Sequence, residues 1–221
     1  MLINRLKELF SMKIFLGKDA EHFLTGLPLA KSQLCKDSGE VVKCAKKFHF
    51  PLMLKIISKD VIHKTEIGGI KIAKDYLELR NSYTELMRLS RDKRIKLDGI
   101  LVQEHAKGVE VIIGIKKDAT FGHVIMFGIG GTMVELLKDV SFRLCPITEQ
   151  DAESMIGELK FSKLLYGFRG SKPVNFKLLK SILVKASRIP ARHKRIEELD
   201  INPLMISGSV AKVVDARVVS S

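Results

Sequence analysis

A hairpin pattern in the second half of the chain is the strongest constraint on its fold. Residues 108–118 (GVEVIIGIKKD) and 121–131 (FGHVIMFGIGG) have the pattern of two strands joined by a short turn, and residues 132–147 continue the meander. Alternating apolar residues with glycine punctuation favour antiparallel pairing. Doubly wound dinucleotide-binding folds are built on mostly parallel strands, so the pattern argues against that class.

The rest of the chain alternates between helix and strand patterns. Helices are predicted at 17–26, 38–48, 76–90, 148–160 and about 175–189. Ser38 is the predicted N-cap of the second helix, and Thr148 and Asp151 form a capping arrangement at the start of the fourth. Further strands are predicted at 27–35, 51–57, 99–104, 198–206 and 211–219. This order predicts an α/β lobe followed by an α+β lobe that is rich in antiparallel sheet.

The composition is that of an ordinary globular protein. Of 221 residues, 46% are hydrophobic and 29% are charged, and no apolar run approaches the roughly 20 residues that span a bilayer. Residues 1–17 are apolar and basic but lack the uninterrupted hydrophobic core of a signal peptide. We therefore expect a cytoplasmic protein without membrane contact. Cys35, Cys44 and Cys145 are widely spaced, which argues against a disulfide framework and a zinc site.

The net charge of +13 leaves a nucleic-acid-binding module open as an alternative function. The basic residues are spread along the chain, with small groups only at 91–96 and 191–195, and there is no Trp and only three Tyr to stack on bases. A basic surface that meets nucleotides and an acidic partner protein is at least as good an interpretation.

Neither a G-x-x-x-x-G-K-[ST] phosphate loop nor a G-x-G-x-x-G that opens a helix is present. Lys55, inside PLMLKII, is costly to bury unpaired, so it points either at an anion or, as an edge-strand residue, at water. The glycines of GIGG (128–131) allow backbone N–H groups to approach a phosphate, although glycines at a strand end also serve as plain turn residues.

Oxygen-bearing side chains near the C-terminus favour a metal site. Glu198, Asp200 and Asn202 alternate along one predicted strand and therefore share a face, and Asp215 in the neighbouring strand is predicted to lie opposite Asn202. Such oxygens suit Mg²⁺. An ordinary polar sheet face is the alternative, but several carboxylates would repel each other without a cation, which favours the metal.

A histidine lies between two strand patterns in residues 55–69, KIISKDVIHKTEIGG. His63 follows an apolar pair and precedes Lys64 and Glu66, and a glycine pair closes the segment. From these residues alone, a core or surface histidine and a nucleophile both remain open.

Together these motifs resemble one family, the ATP-grasp beta subunits of ADP-forming acetate (acyl)–CoA ligases, and more distantly the beta subunit of succinyl-CoA synthetase. The segments that carry the resemblance are FPLMLKIISKDVIHKTEIGGIKI, GILVQEHAKGVEVIIGIKKDATFGHVIMFGIGGTMVELLKDVSFRLCPIT, LLYGFRG and ELDINPLMI with VVDARVV. The resemblance implies a two-lobed ATP-grasp fold with nucleotide bound between the lobes. Residues 1–23 would form an extension and a helix packing on the second lobe, 24–102 the first lobe, and 103–221 the second lobe with the hinge and the Mg²⁺ site.

The resemblance also implies the reaction. The complete enzyme interconverts acyl-CoA, ADP and phosphate with the free acid, ATP and CoA, using a separate CoA-binding alpha subunit, in an α₂β₂ assembly as the family suggests. Phosphoryl passes through histidine, and the family position matches His63, with Lys64 to stabilise the phosphorylated ring and Glu66 to orient it. ATP/ADP and Mg²⁺ are the implied cofactors. A succinyl-CoA-type ligase is the near alternative.

The other family positions carry over residue by residue, with two departures. HKTE stands where the family has HKSD, and Lys117 in KKDATFGH stands where the family has Arg, so a bidentate phosphate or partner contact is not expected there. The implied roles are Lys55 at the nucleotide phosphates; Gln103, Glu104 and Ala106 at the adenine in the hinge; Glu110 at the ribose or phosphates; Gly130 and Gly131 along the phosphates; and Asn202 and Asp215 at Mg²⁺ with Asp200 nearby.

Overall fold

A computed structural model describes residues 12–58, 61, 64–131, 138–167 and 172–221. Contacts divide the chain into a smaller unit, Ala30–Ala106, and a larger unit formed by the residues before and after it. The expected first lobe, 24–102, has different limits. Leu24 and Leu27 are buried in the core of the larger unit, and the last strand of the smaller unit continues to Glu104; both features move the boundaries toward the C-terminus.

Helices separate most strands in the first half of the described chain, whereas runs of consecutive strands are found in the second half. In order they are β1 (Lys13–Leu16), α1 (Lys18–Glu21), a 3₁₀ turn (His22–Leu24), β2 (Ser32–Cys35), α2 (Ser38–Ala45), β3 (Leu52–Ile57), β4 (Ile70–Ala73), α3 (Tyr76–Asp92), β5 (Gly99–Glu104), β6 (Val109–Asp118), β7 (Gly122–Ile129), β8 (Val140–Leu144), α4 (Glu149–Gly157), a 3₁₀ turn (Ser162–Tyr166), α5 (Phe176–Ser187), α6 (Ile189–Arg192), β9 (Ile196–Ser207), β10 (Val210–Val213) and β11 (Ala216–Ser220). Among the described residues, no helix combines the length and apolar character needed to cross a membrane.

The smaller unit is a four-stranded antiparallel sheet in the order β2-β5-β3-β4. Alternate residues of β3, among them Leu54, are buried with residues of α2 and α3 in one apolar cluster. Asp37 caps α2 by accepting a hydrogen bond from the Glu40 N–H at 2.8 Å. The prediction of Ser38 as N-cap is therefore wrong by one residue, because the longer carboxylate side chain before it takes that role.

The larger unit is an antiparallel sheet with the order β1-β11-β9-β6-β7-β8, and β10 pairs with β9. The β6–β7 hairpin has continuous register from Val111↔Ile129 to Asp118↔Gly122, which confirms the antiparallel prediction. Asp118 closes its turn by accepting hydrogen bonds from the N–H groups of Thr120 and Phe121. Part of the predicted third segment, residues 132–137, lies outside the described residues.

One face of this large sheet builds the core. Inward residues of β6, β7 and β9, including Ile113, Phe127 and Leu199, are buried with apolar residues of α4 and α5. A strand directs successive side chains to opposite faces. The residues between these core positions therefore point away from the helices, and they supply most of the candidate site.

A capping box starts α4, as the sequence predicts. The Thr148 hydroxyl accepts from the Asp151 N–H at 3.1 Å, and the Asp151 carboxylate accepts from the Thr148 N–H at 2.8 Å. The hydrogen bond from the Thr148 N–H, with that from its hydroxyl, holds the pKa of the Asp151 carboxyl below its usual value. Two backbone donors that the helix leaves without an internal partner are thus satisfied reciprocally.

We predict that Thr148→Ala lowers the free energy of unfolding by about 1 kcal/mol, because the helix loses a capping acceptor. Guanidinium titration followed by circular dichroism measures the difference. Thr120→Ala, an exposed threonine in the same unit, is the control and should stay within about 0.5 kcal/mol of the original chain. Equal effects at the two positions would contradict the capping role.

Candidate functional site

The polar face of β9 is created by an irregularity in its pairing with β6. The register of the two strands shifts between Val111 and Ile113. As a result, two residues of β9, Asn202 and Pro203, lie between the inward-facing Ile201 and Leu204. Glu198, Asp200 and Asn202 therefore lie on the side away from the core, as predicted. A proline, which has no N–H to donate, is typical of such an interruption.

Asp215 lies opposite Asn202, also as predicted. The Asn202 N–H donates to the Asp215 carbonyl at 3.2 Å, and the Val214 N–H donates to the Pro203 carbonyl at 3.0 Å. The Asn202 side chain is exposed and Asp215 is half-buried, with one carboxylate oxygen accepting from the Ala216 N–H. This pair supplies an amide oxygen and a carboxylate, which are oxygen ligands of the kind that Mg²⁺ takes.

No group of three or more His, Cys, Asp or Glu residues is arranged to hold a metal ion anywhere in the described ranges. Asp215 therefore does not belong to a cluster of three or more such side chains there. Mg²⁺ commonly uses only one or two protein carboxylates, together with water and substrate phosphates. The donor set fits Mg²⁺ when a phosphate completes the coordination.

One argument for the metal is wrong. The Glu198 carboxylate lies between Lys116 Nζ, at 3.2 Å, and an Arg217 guanidinium nitrogen, at 3.1 Å. These two cations offset the charge of Glu198, so the repulsion argument does not call for a metal at that carboxylate. Asp200 pairs with Arg217 across β9 and β11 and with Gly114 across β9 and β6. The sequence reasoning missed Lys116 and Arg217, because their approach to Glu198 depends on the strand order β6-β9-β11.

Glu110, Gly130 and Gly131 come together at the start of β6 and the end of β7. The Gly130 N–H donates to the Glu110 carbonyl at 2.7 Å. A Cβ atom at Gly130 would lie 3.1 Å from Cβ of Glu110, and Gly131 adopts a φ of +97°. Close approach and a left-handed conformation are two separate reasons for glycine here. The exposed Glu110 side chain projects beside backbone that has no side chains of its own.

Lys55 lies in the interior of the smaller sheet. Its strand, β3, is flanked by β5 and β4, where Leu101 and Ile70 lie opposite it. The lysine is 3% exposed, so the alternative of an edge-strand lysine facing water is wrong. Because Leu54 and Ile56 point into the core, Lys55 points to the other face of the sheet. A buried cation requires a compensating polar or anionic group.

The residues expected at the adenine lie where the smaller unit ends. Gln103, which is 3% exposed, shares the Lys55 face of the sheet because Met53 lies opposite it. The Glu104 N–H donates to the Lys31 carbonyl at 3.0 Å, so this amide already has a partner within the unit. Ala106 is half-buried and is the last residue of the smaller unit.

His63 lies outside the described residues, and its predicted neighbours Lys64 and Glu66 begin the turn that follows. The Gly69 N–H donates to the Lys64 carbonyl at 2.8 Å, and the Ile56 N–H donates to the Gly69 carbonyl at 3.0 Å. Lys64 is buried and Glu66 is exposed. The turn therefore anchors the segment after His63 to β3, the strand that carries Lys55.

Lys117 is engaged within the chain. Its Nζ lies 2.9 Å from a Glu197 carboxylate oxygen. This ion pair uses the lysine as a single point charge, as expected for a residue that replaces a forked guanidinium.

A family profile described as ATP-grasp domain matches residues 18–219. The chain belongs to the ATP-grasp family. Its relatives within the family include the beta subunit of acetate–CoA ligase [ADP-forming] I from Pyrococcus furiosus, which is 39% identical over 200 residues, covering 89% of this ATP-grasp chain and 86% of the relative.

The same segment also occurs inside longer polypeptides. The 4-hydroxybutyrate–CoA ligase [ADP-forming] of Nitrosopumilus maritimus is 39% identical over 199 residues, but these are 87% of the ATP-grasp chain and only 28% of that ligase. The ATP-grasp chain thus spans somewhat more than a quarter of this relative and most of the Pyrococcus subunit.

Solved structures agree with the family assignment. The dinucleotide-forming acetyl-coenzyme A synthetase 1 of Ca. Korarchaeum cryptofilum, in complex with coenzyme A, Ca-AMPCP and HgCl⁺, matches with a TM-score of 0.90 and 42% identity, over 100% of the ATP-grasp chain and 98% of the compared chain. A second structure of that synthetase, with a TM-score of 0.84, contains a phosphorylated phosphohistidine segment. A third, with a TM-score of 0.82, contains Mg-AMPPCP and has its phosphohistidine segment pointing towards the nucleotide-binding site.

We predict that Gly130→Ala destabilises the chain by about 1–3 kcal/mol, because the added methyl group presses on the backbone and Cβ of Glu110. It should also weaken ATP binding, measured by isothermal titration calorimetry, since Glu110 must shift. Gly157→Ala, at the end of α4 with nothing within 4 Å of the added atom, is the control and should leave ATP affinity unchanged. Wild-type affinity in Gly130→Ala would contradict a role for this backbone in nucleotide binding.

Proposed function

We propose that this ATP-grasp chain is the nucleotide-binding beta subunit of a cytoplasmic ADP-forming acyl-CoA synthetase. The complete enzyme would interconvert acyl-CoA, ADP and phosphate with the free acid, ATP and CoA. The observation that carries the proposal is the 39% identity to a separate beta subunit of an ADP-forming acetate–CoA ligase, over most of both chains.

The proposed nucleotide contacts rest on the features of each unit. In the smaller unit, the buried Lys55 amine would bind a phosphate, as the family resemblance implies. Gln103, Glu104 and Ala106 would contact the adenine, with Glu104 acting through groups other than its N–H. In the larger unit, Glu110 would contact the ribose or a phosphate, and the Gly130–Gly131 backbone would lie along the phosphates.

Asn202 and Asp215 would hold Mg²⁺, with Asp200 nearby. The backbone hydrogen bond from the Asn202 N–H to the Asp215 carbonyl holds the first two residues next to each other. When bound, Mg²⁺ would neutralise negative charge on the nucleotide phosphates. The protein's own contribution would be one amide oxygen and one carboxylate oxygen, with phosphate and water as the further ligands.

His63 is proposed as the phosphoryl carrier of this chain. A ring nitrogen of the neutral imidazole would attack the γ-phosphorus of ATP, so that an N–P bond forms while the P–O bond to ADP breaks and ADP leaves; the reverse transfer makes ATP. The Lys64 ammonium would offset the added negative charge, and Glu66 would orient the ring. The phosphohistidine segments in the Korarchaeum synthetase structures support this chemistry.

A CoA-binding alpha subunit is the proposed partner, in an α₂β₂ assembly. The ATP-grasp segment accounts for 28% of the Nitrosopumilus ligase and 29% of the acetate–CoA ligase [ADP-forming] I of Archaeoglobus fulgidus. We place CoA binding and acid activation in the portion that these relatives carry beyond the shared segment. Here that portion would belong to the separate alpha subunit.

We predict that the chain, incubated with γ-labelled ATP and Mg²⁺, acquires protein-bound phosphate that is labile in acid and stable in base, as an N–P bond requires. His63→Ala should abolish the label without a large change in ATP affinity, because the adenine contacts lie elsewhere. His49→Ala, an exposed histidine of the same unit, should label normally. Retention of the label in His63→Ala would exclude His63 as the carrier, and its absence from the original chain would overturn the proposed function.

We predict that Asn202→Ala combined with Asp215→Ala raises the Mg²⁺ concentration needed for half-maximal labelling by at least about tenfold, since two oxygen ligands are lost. The free energy of unfolding should fall by only about 1–2 kcal/mol, because the Asn202–Asp215 backbone hydrogen bond is kept and the Ala216 N–H loses its carboxylate acceptor. Glu198→Ala is the matched control: its carboxylate on the same strand is bound by Lys116 and Arg217, so its Mg²⁺ requirement should stay unchanged. An unaltered Mg²⁺ requirement in the double variant would contradict the metal assignment.

A further inference from the structure

An apolar patch covers the outer end of the large sheet, on the face away from the core. Phe142 and Leu144 of the edge strand β8 are 54% and 55% exposed. Met126 and Val124 of β7 lie directly opposite them, and residues directly opposite in an antiparallel pair project from the same face. The apolar patch consists of these four side chains, and Phe121 in the neighbouring turn is also strongly exposed.

The patch extends from β8 and β7 onto the backbone of β6, because β6 has a glycine opposite Met126. Gly114 lies opposite Met126, and the methionine methyl group comes within 3.2 Å of the point where a Gly114 Cβ would be. The Met126 side chain therefore lies over the backbone of β6, in the space that a side chain at position 114 would fill. Beside it, exposed Lys116 lies opposite Val124, and its ammonium pairs with the Glu198 carboxylate at 3.2 Å.

The edge of β8 is closed to an added strand at Phe142. Arg143 is in register with Ile125, and the Cys145 N–H donates to the His123 carbonyl of β7. In an antiparallel pair, every second residue bonds to the neighbouring strand. Cys145 and Arg143 therefore face β7, and the carbonyl of Phe142 points away from it. An Arg143 guanidinium nitrogen donates to that carbonyl at 2.7 Å, and the same side chain binds Glu158. A capped edge of this kind discourages strand addition. A partner would therefore meet the side chains of the patch.

We infer that the apolar patch docks the CoA-binding alpha subunit; the inference rests on the proposed function. In the longer relatives, the polypeptide beyond this segment makes up most of the ligase, so a large surface is available to cover the patch. A partner with an apolar centre and an acidic surface around it fits the four apolar side chains and the +13 charge of the chain.

The test compares three single substitutions by the affinity of each variant for the alpha subunit of the same organism, purified separately and immobilised for interferometry. Leu144→Glu and Phe142→Glu each place a charge in the patch and should weaken binding by at least about tenfold, since a buried unpaired charge is costly. Ile14→Glu is the matched control: Ile14 is 58% exposed on β1, the opposite edge of the same sheet, and its variant should bind normally. An unchanged melting temperature shows that a variant is folded. If only one of the two patch variants folds, that variant alone tests the inference.

Three results would overturn the inference. The first is that the patch variants bind the alpha subunit as tightly as the original chain does. The second is that the Ile14 variant loses as much affinity as they do. The third is that light scattering shows the isolated chain to be a dimer that Leu144→Glu dissociates, which would make a second copy the occupant. The proposed function is judged separately by labelling at His63 in the chain alone. Normal labelling without any alpha-subunit binding would refute the docking surface and leave the phosphoryl-transfer role intact.

Discussion

The backbone pairing of β9 is the interaction on which the rest of the larger unit depends. This strand pairs with β6 on one side and with β11 and β10 on the other. Its inward residues, such as Leu199 and Ile201, are buried in the core, while its outward residues carry most of the polar chemistry. One interruption, at Asn202 and Pro203, lets Leu204 return to the core and leaves Asn202 beside Asp215. Core packing and the candidate metal site are thus set by the same register shift.

Much of this arrangement is predictable from the sequence wherever the signal is local. The β6–β7 hairpin follows from alternation over adjacent segments, and the α4 capping box follows from two residues three positions apart. The α2 cap was misplaced by one residue, because Asp37 and Ser38 are both good N-cap residues and adjacent positions cannot be separated by propensity alone. The boundaries of the smaller unit also differ from the predicted ones, because burial of residues such as Leu24 and Leu27 in the larger unit decides where each unit ends.

Features that depend on strand order were not predictable. The ion pairs of Glu198 require β6 and β11 to flank β9, and nothing in the local pattern specifies that order. The position of Lys55 was undecided for the same reason: the identical segment could form an edge strand or an inner strand. Its burial follows only from the order β5-β3-β4. The resemblance to a family implies a role for the lysine, whereas the sheet topology explains why its side chain is buried.

The composition of the metal pair also constrains how metal and nucleotide bind together. An amide and one carboxylate give few protein ligands and a single negative charge, so Mg²⁺, which holds its water tightly, gains little from this pair alone. Nucleotide phosphates add both ligands and charge, and therefore raise the affinity of the site for the ion. Because coupling between two binding events is reciprocal, the ion must raise nucleotide affinity by the same factor. As the proposed Mg²⁺ ligands, Asn202 and Asp215 would hold the ion weakly in the absence of nucleotide, and the complex of Mg²⁺ with the nucleotide would be the species that the chain binds.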